Sequence, residues 1–228
     1  MNDQAGIAQR LSSESSVDSA TIERMARFGA LLLEANRRFN LTGAKTVESV
    51  CEHLLDSLTV IPYVCGSLID VGSGSGLPAV VLGIATGVRV TLIESTTKKA
   101  VFLETMLDTL GVEGRIIPLR AELAARDPAL REQFDCGTAR AVSTAPTVAE
   151  LLLPFVRIGG LAILQRGSLE ADERNALVDA SPMLGGEVEK EIMLSGERRI
   201  ILVRKSAPTP SRFPRRTGVP EKRPLCFT

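Results

Sequence analysis

The chain has 228 residues, and its 27 lysines and arginines balance 27 aspartates and glutamates, so the formal net charge is zero. Hydrophobic residues at 44% and charged residues at 24% are ordinary globular proportions, which excludes disorder, collagen and coiled coil as descriptions of the chain as a whole. Zero net charge also argues against a surface that is positive everywhere and grips nucleic acid at any point, although a local basic patch stays possible.

The first quarter of the chain is predicted to be helical. Residues 1–17 are rich in serine and other polar side chains, and we expect them to be frayed. Apolar side chains recur at helical spacing over residues 18–39 and again over 46–60, after which Pro62 ends the pattern. The sequence therefore predicts an N-terminal helical subdomain over residues 18–64.

From residue 65 onward, short apolar runs alternate with helical stretches. Strands are predicted at 68–71, 89–94, 115–119, 136–142 and 161–165, and helices at 78–85, 98–110, 121–133, 147–156 and 169–180, before a hairpin of 187–194 and 198–204. This alternation predicts a Rossmann-like α/β fold over residues 65–205. Its sheet is expected to be mostly parallel, with helices on both faces and the antiparallel hairpin at or near one edge.

Residues 206–228, called the tail below, form a separate proline-rich segment. Five prolines exclude a regular helix or a central strand, and five basic residues outnumber the single Glu221. The basic residues are Arg212, Arg215, Arg216, Lys222 and Arg223. We expect an extended, poorly self-folding arm that follows RNA phosphates, attached to a mildly acidic body. An ordinary solvated terminus is the alternative.

Other features bear on compartment, metal content and assembly. No basic start followed by an apolar stretch opens the sequence, so we expect neither a secretory signal nor a membrane anchor, and hence a cytoplasmic protein. The four cysteines (Cys51, Cys65, Cys136 and Cys226) show no CxxC spacing, and His53 is the only histidine. This argues against a zinc site and a disulfide framework. We expect no metal and a monomer.

The most informative segment is the glycine loop, Asp70-Val71-Gly72-Ser73-Gly74-Ser75-Gly76-Leu77-Pro78. A strand is predicted to enter this loop and a helix to leave it, and in open α/β sheets ligands bind at that end of the strands. Glycines there permit positive φ and let a ligand approach the backbone closely. We therefore expect ligand contacts at Gly72, Gly74 and Gly76.

The loop by itself leaves two cofactors open. Its GxGxG spacing from Gly72 is common in S-adenosylmethionine enzymes, whereas a GxGxxA pattern starting at Gly74 fits a variant of the dinucleotide fingerprint. Glu94, at the end of the second predicted strand, stands where either cofactor needs a carboxylate on its ribose. Two residues favour the methyl donor: Asp70 can orient the loop or meet the donor's ammonium group, and Glu122 can read the adenine edge.

Two further site types are disfavoured. No Gly-Lys-Ser/Thr closes the loop, so a P-loop is excluded. A serine nucleophile at Ser73 or Ser75 lacks a partner, because His53 lies on a predicted helix of the N-terminal subdomain. We expect His53 to make a structural hydrogen bond between that subdomain and the sheet, and a place at the rim of the active site is the alternative.

Six segments occur together in one order along the chain. They are Asn40-Leu41-Thr42, His53-Leu54-Leu55-Asp56-Ser57-Leu58, the glycine loop, Arg120-Ala121-Glu122, Ala139-Arg140-Ala141, and the tail from Phe213 to Leu225. The glycine loop alone is a weak signal, but the joint order is specific. Over residues 20–225, the chain resembles the bacterial ribosomal RNA small-subunit methyltransferase G family (RsmG, also called GidB).

The resemblance implies a class I methyltransferase fold, S-adenosylmethionine as methyl donor, and N7 of a guanine in 16S rRNA as acceptor. The acceptor would lie in the small ribosomal subunit or an assembly intermediate. The implied cofactor contacts are Gly72, Leu77, Ala121, Glu122 and Arg140, with Glu94 on the ribose. Many members carry aspartate in place of Glu94 and lysine in place of Arg166, and arginine does not substitute neutrally for lysine where geometry is demanding.

The implied reaction needs no general base. Guanine N7 carries an in-plane lone pair and no proton, so it can attack the sulfonium methyl in line. We expect catalysis by positioning and nominate no catalytic residue. Arg140 and Arg166, near the ends of the fourth and fifth predicted strands, are expected to contact the guanine edge or nearby phosphates.

Three alternatives stay open at this point. The chain could be a methyltransferase acting on another RNA or on a small molecule. It could be an NAD-dependent oxidoreductase that uses the glycine pattern starting at Gly74. It could also be a nucleotide-binding module without catalytic activity.

Overall fold

The computed structural model describes residues 2–38 and 40–227. In chain order, its helices and strands are α1 (Asp3–Glu14), α2 (Ser19–Asn36), α3 (Val47–Leu58), β1 (Leu68–Val71), α4 (Ala79–Thr86), β2 (Val90–Ile93), α5 (Thr97–Leu110), β3 (Gly114–Ile117), α6 (Ala121–Ala124), β4 (Phe134–Arg140), α7 (Ala145–Leu152), β5 (Val156–Arg166), α8 (Ala171–Met183), β6 (Gly186–Met193), β7 (Arg199–Lys205) and α9 (Val219–Lys222). Short 3-10 turns follow α3 at Ile61–Tyr63 and α7 at Leu153–Phe155.

A seven-stranded sheet in the order β3-β2-β1-β4-β5-β7-β6 forms the centre of the fold. The strands β1 to β5 run parallel, whereas β7 is antiparallel to both β5 and β6. The predicted α/β fold, with a mostly parallel sheet and a terminal antiparallel hairpin, is confirmed. The strand order reverses between β1 and β4, and in open α/β sheets ligands bind at the carboxyl ends of such a pair.

The central strand β1 is covered on both faces. Its four residues are all at most 2% exposed. Leu68 belongs to an apolar cluster that includes residues from α1 to α5, whereas Ile69 and Val71 belong to a second cluster with residues from α6, α7, α8 and the tail. Because successive side chains of a strand point to opposite faces, the two clusters lie on opposite sides of the sheet.

The prediction that residues 1–17 are frayed is wrong, because Asp3–Glu14 form α1. The Asn2 side chain accepts the backbone N–H of Gln4 at 3.2 Å and caps the helix. Ile7 and Leu11 lie four residues apart on one helix face, and both are fully buried. These two side chains form a single apolar stripe, which packs α1 against α2 and α3.

The N-terminal helices share their core with the sheet. A Cβ on Gly29 of α2 would lie only 3.0 Å from Ile7 Cδ1 and from Val50 Cγ1, so the glycine permits α1, α2 and α3 to approach closely. Arg24 of α2 donates to the carbonyl oxygens of Leu110 at 2.8 Å and Ile84 at 3.2 Å, near the carboxyl ends of α5 and α4. The predicted boundary at residue 64 therefore falls within a continuous apolar cluster.

Two local expectations are corrected. The helix predicted over 121–133 stops at Ala124, and turns containing Pro128 follow, since proline cannot continue the helical hydrogen bonding. The tail is not a poorly folded arm: Thr209 and Phe213 are 5% and 3% exposed, and Phe213 belongs to the second apolar cluster. A short helix, α9, follows within it.

Replacing Leu11 with alanine tests the docking of α1. Loss of a fully buried leucine side chain should lower the free energy of unfolding by about 2–5 kcal/mol. Urea denaturation measures this change, and Ser13→Ala, at an exposed position of the same helix, is the matched control. A frayed N-terminus would instead leave both variants as stable as the parent.

Candidate cofactor and substrate site

Two cavities open at the carboxyl end of the parallel strands. The larger cavity, of about 900 Å³, lies between the glycine loop, α3 and the ends of β4 and β5. The smaller cavity, of about 170 Å³, lies between the end of β2, the start of α6 and α7. Gly72 and Glu94 line both cavities. A ligand bound at the glycine loop can therefore extend into both.

The glycine loop adopts left-handed backbone conformations, with φ of +70° at Gly72, +54° at Gly74 and +91° at Gly76. A Cβ on Gly74 would meet only the carbonyl oxygen of Gly72, at 3.7 Å, so its cavity side is open. At Gly76 a Cβ would lie 2.8 Å from Val80 Cγ2. Gly76, predicted as a cofactor contact, thus permits packing against α4 and lies outside the lining of both cavities.

Glu94 ties the loop to β2. Its Oε2 accepts the backbone N–H of Gly74 at 3.0 Å, and its Oε1 accepts that of Thr96 at 2.6 Å. The side chain is 6% exposed and lines both cavities. Because a carboxylate has about four acceptor positions, two remain for ligand hydroxyls. Sequence reasoning placed Glu94 correctly at the end of the second strand and did not foresee its hold on Gly74.

Asp70 lies beneath the loop and outside the lining of both cavities. Its Oδ1 accepts the hydroxyl of Thr138 at 2.7 Å, while Oδ2 is buried without a hydrogen-bond partner among the described residues. Burial raises the pKa of Asp70 to about 7, against the hydrogen bond from Thr138, which lowers it. The carboxyl is thus poised to exchange a proton near neutral pH.

Ala121 and Glu122, both predicted to contact the cofactor, open α6 and line the smaller cavity. Glu122 is 8% exposed, and its Oε1 accepts the backbone N–H of Gly218 at 2.8 Å. Glu221 lines the same cavity. Sequence reasoning missed both contributions of the tail. The backbone donor of Gly218 carries no signal in the sequence, and nothing in the sequence places Glu221 beside α6.

Arg140 ends β4 and lines the larger cavity together with Leu77. Its Nη1 lies 3.4 Å from Asp56 Oδ2, and the second carboxylate oxygen lies 3.3 Å from Arg198 Nη1. Gln165 at the end of β5 donates to the Asp56 carbonyl oxygen at 3.1 Å. Burial lowers the pKa of Arg140, whereas the carboxylate of Asp56 raises it. The sequence motif contained Asp56 but did not reveal this network.

His53, one helical turn before Asp56, also lines the larger cavity. Burial lowers the pKa of His53 most, and the positive charge of Arg140 lowers it further. The imidazole is therefore neutral at pH 7. Its backbone carbonyl accepts the hydroxyl of Ser57 at 2.8 Å. The structural hydrogen bond that we expected from its side chain stays a prediction.

Arg166 ends β5 and lines the larger cavity, but its guanidinium is engaged inside the protein. Nη2 pairs with Glu173 Oε1 at 2.7 Å, and Nη1 donates to the Ser143 carbonyl oxygen. Glu173 also accepts the backbone N–H of Ala145 at the start of α7. Arg166 thus holds α7 and α8 at the end of β5, and its predicted RNA contact stays a prediction.

The predicted RNA-binding residues of the tail differ in availability. Arg215 pairs with the fully buried Glu150, at 2.7 Å from Nη2 to Oε2. The remaining four are exposed: Arg212, Arg216, Lys222 and Arg223. Only those four present their charge to solvent.

Among the residues that the structure describes, no group of three or more histidine, cysteine, aspartate or glutamate side chains could hold a metal ion. Over the same residues, no helix combines the length and apolarity needed to cross a bilayer.

Changing Asp70 to asparagine tests the titration under the loop. Because the folded-state pKa of about 7 exceeds the unfolded value of about 3.9, the ionised carboxyl opposes folding above pH 7. That penalty is relieved as the pH falls from about 7 towards 4. Relative to Asp70→Asn, the parent should therefore gain about 2–3 kcal/mol of stability between pH 8 and pH 5. Urea titrations at both pH values measure the difference, and an equal pH dependence of the two proteins contradicts the assignment.

Two solved structures share the fold of this chain. Mitomycin 7-O-methyltransferase MmcR is 16% identical with a TM-score of 0.54, over 86% of this chain and 75% of that chain. Geranyl diphosphate methyltransferase in complex with SAM is 11% identical with a TM-score of 0.53, over 67% of this chain and 85% of that chain. At these identities the likeness concerns the fold. The fold of this chain, with the glycine loop after β1 and Glu94 after β2, is that of the class I S-adenosylmethionine-dependent methyltransferases.

Sequence comparison narrows the class to one family. The model of the family described as rRNA small subunit methyltransferase G matches residues 21–202. The Ribosomal RNA small subunit methyltransferase G of Pelotomaculum thermopropionicum is 40% identical over 216 residues, 90% of each chain. That of Roseiflexus sp. is 40% identical over 219 residues, 92% of this chain and 94% of the relative. The chain belongs to the rRNA small subunit methyltransferase G family.

Proposed function

We propose that this protein transfers the methyl group of S-adenosylmethionine to N7 of a guanine in 16S rRNA. Membership in the rRNA small subunit methyltransferase G family supports the reaction and the class of RNA. The observation that carries the proposal is the two-part site at the glycine loop, where a small acidic cavity adjoins a large cavity rich in arginine. The first suits a nucleoside cofactor and the second suits a nucleotide substrate.

The residues of the smaller cavity fit the adenosine part of the cofactor. Its carboxylates come from Glu94, Glu122 and Glu221, and carboxylates accept hydrogen bonds from ribose hydroxyls and from the adenine amino group. The same charges would repel a pyrophosphate. This acidic lining favours S-adenosylmethionine over the dinucleotide that the glycine pattern alone left open.

The loop side of the site fits the remaining part of the cofactor. Gly74 leaves the backbone open to a ligand, and Gly72 and Leu77 line the same cavity. Asp70 is buried beneath this loop and outside the lining of both cavities, so its carboxylate would attract a cationic group bound above the loop without touching it. Bound here, the cofactor supplies a methyl group on a positively charged sulfur.

The protein's contribution to the chemistry is positioning. Guanine N7 has a lone pair and no proton, so no side chain needs to remove one. Arg140 lines the larger cavity beside Gly72, and its guanidinium is held by Asp56. A guanidinium in that place can donate to guanine O6, whose position next to N7 leaves the N7 lone pair free to attack. Apposition of the two reactants is then the main catalytic term.

The rim of the larger cavity supports contact with RNA. Side chains of Arg10, Lys99, Arg198 and Arg199 line it, and that of Arg198 is 46% exposed. These three arginines pair with Glu14, Asp56 and Glu191, so an RNA phosphate would share their guanidinium groups with those carboxylates. Contacts of this kind do not depend on the base sequence. We propose that the partner is 16S rRNA within the small ribosomal subunit or an assembly intermediate. We further propose that the protein is a cytoplasmic monomer that needs no metal.

Mass spectrometry of 16S rRNA tests the proposed reaction. RNA from cells that lack this protein should lose one N7-methylguanine, and a plasmid copy of the protein should restore it. An unchanged modification map in the absence of the protein contradicts the proposal, and loss of a different modification shifts it to another RNA position.

Substituting Arg140 with alanine tests the positioning role. We expect the single-turnover methylation rate on small ribosomal subunits to fall by about tenfold or more, because a charged hydrogen-bond donor to the acceptor base is lost. The matched control is Arg89→Ala, which removes an exposed arginine paired with Glu113 away from both cavities. If Arg140→Ala methylates at the parent rate, Arg140 has no part in positioning the guanine.

A further inference from the structure

We propose that residues 213–223 of the tail form the outer wall of the smaller cavity, and that the backbone N–H of Gly218 orients Glu122 for adenine. This inference rests on the proposed cofactor site. It gives the tail a role in binding the methyl donor, beyond the RNA contacts that its composition suggested.

The tail is fastened to the body before it reaches the cavity. Arg131 donates to the carbonyl oxygens of Thr209 at 2.7 Å and Phe213 at 3.1 Å, and Arg126 donates to that of Pro214. Glu132 accepts the backbone N–H of Thr209 at 2.7 Å. All of these hydrogen bonds are made to backbone atoms of the tail, and Phe213 adds a buried ring at the same place. The path of the chain is therefore fixed at the point where residues 213–223 begin.

A buried ion pair then fixes the course of this segment. Glu150 on α7 is fully buried, and it accepts the backbone N–H of Arg215 at 2.7 Å as well as the guanidinium Nε at 3.0 Å and Nη2 at 2.7 Å. The same Nη2 donates to the carbonyl oxygen of Arg223 at 2.7 Å. Arg215 thereby joins both ends of the nine-residue stretch from 215 to 223 to one point on α7.

The stretch between those ends lines the smaller cavity with one side chain and contacts two other residues of its lining. Gly218, with φ of +77°, directs its N–H at Glu122 Oε1 over 2.8 Å. The hydroxyl of Thr147 donates to the Pro220 carbonyl oxygen at 2.9 Å, and Glu221 lines the cavity. The glycine matters because its left-handed backbone is strained for any residue with a Cβ.

The bond to Gly218 has a direct consequence for recognition. It occupies one oxygen of Glu122 and holds the carboxylate in one orientation, so that Oε2 remains to accept the 6-amino group of adenine. A mobile glutamate would lose side-chain entropy on each binding event, and a held one avoids that cost. Because the tail and the cofactor share Glu122, each should stabilise the bound position of the other.

Two truncations separate this role from the anchoring of the tail. A chain ending at Arg216 keeps Phe213 and the pairing of Arg215 with Glu150, but it loses Gly218, Pro220 and Glu221. The matched control ends at Pro224 and keeps all of these contacts. By isothermal titration calorimetry with S-adenosylmethionine, we expect the chain ending at Arg216 to bind about tenfold more weakly, because a hydrogen bond to a charged group is lost. The control should bind like the full chain.

A second readout distinguishes orientation of Glu122 from a general loss of structure. S-adenosylhomocysteine and its inosine analogue, which lacks the 6-amino group, are titrated into both truncated proteins. The control should prefer the adenine compound, and the chain ending at Arg216 should lose most of that preference. Equal preference in both proteins overturns the role of Gly218.

The full-length protein gives an independent measurement. Trypsin cuts after Arg216 and Lys222, which are exposed, whereas Pro224 protects the bond after Arg223. Saturating S-adenosylmethionine should slow these cuts, because binding and tail order are linked. Unchanged cleavage overturns the inference.

The outcomes also distinguish this inference from the proposed function. If the full chain binds no S-adenosylmethionine, the proposed cofactor is wrong. If the full chain and both truncated chains bind it equally, only the role of the tail is wrong. If the chain ending at Arg216 keeps its affinity for S-adenosylmethionine but loses affinity for rRNA, the tail serves the RNA and the inference is overturned.

Discussion

Burial of β1 on both faces is the constraint on which the rest of the structure depends. A parallel strand in the middle of a sheet must be covered on each side, since its side chains alternate between the two faces. On one side the cover comes from α1 to α5, and on the other it comes from α6 to α8 and Phe213 of the tail. The two ends of the chain therefore lie on opposite faces of the same strand. Since β1 leads into the glycine loop, both ends lie next to the site.

This arrangement explains why each cavity takes residues from a different part of the chain. The helical face brings His53 and Asp56 to the larger cavity, and α1 adds Arg10 to its rim. The opposite face brings Glu122 and the tail residue Glu221 to the smaller cavity. Gly72 lies between them because the loop follows directly on β1.

The sequence predicted the parts of the fold that rest on local patterns. Continuous apolar runs marked the strands, and the strand–loop–helix pattern with Glu94 at the next strand end marked the cofactor site. It failed for α1, because only Ile7 and Leu11 are buried in a helix of mostly polar and small residues. It also failed for the tail, whose attachment depends on arginines such as Arg131 that donate to backbone carbonyls. Neither a two-residue stripe nor a backbone acceptor leaves a recognisable sequence pattern.

The sequence also did not reveal which arginines pair with carboxylates inside the protein. Of the arginines assigned to RNA, Arg140 lies against Asp56, Arg166 pairs with Glu173, and Arg215 pairs with Glu150. Buried ion pairs add little net stability, because desolvation opposes their attraction. These ion pairs do fix the orientation of the arginine side chain, because a guanidinium that makes two hydrogen bonds is held in one position. A methyl transfer to a nitrogen lone pair that carries no proton needs neither an acid nor a base. It needs its two reactants held in line, so its rate depends mainly on their orientation. Carboxylates that hold arginines in place are therefore as much a part of this site as the arginines that face the cavity.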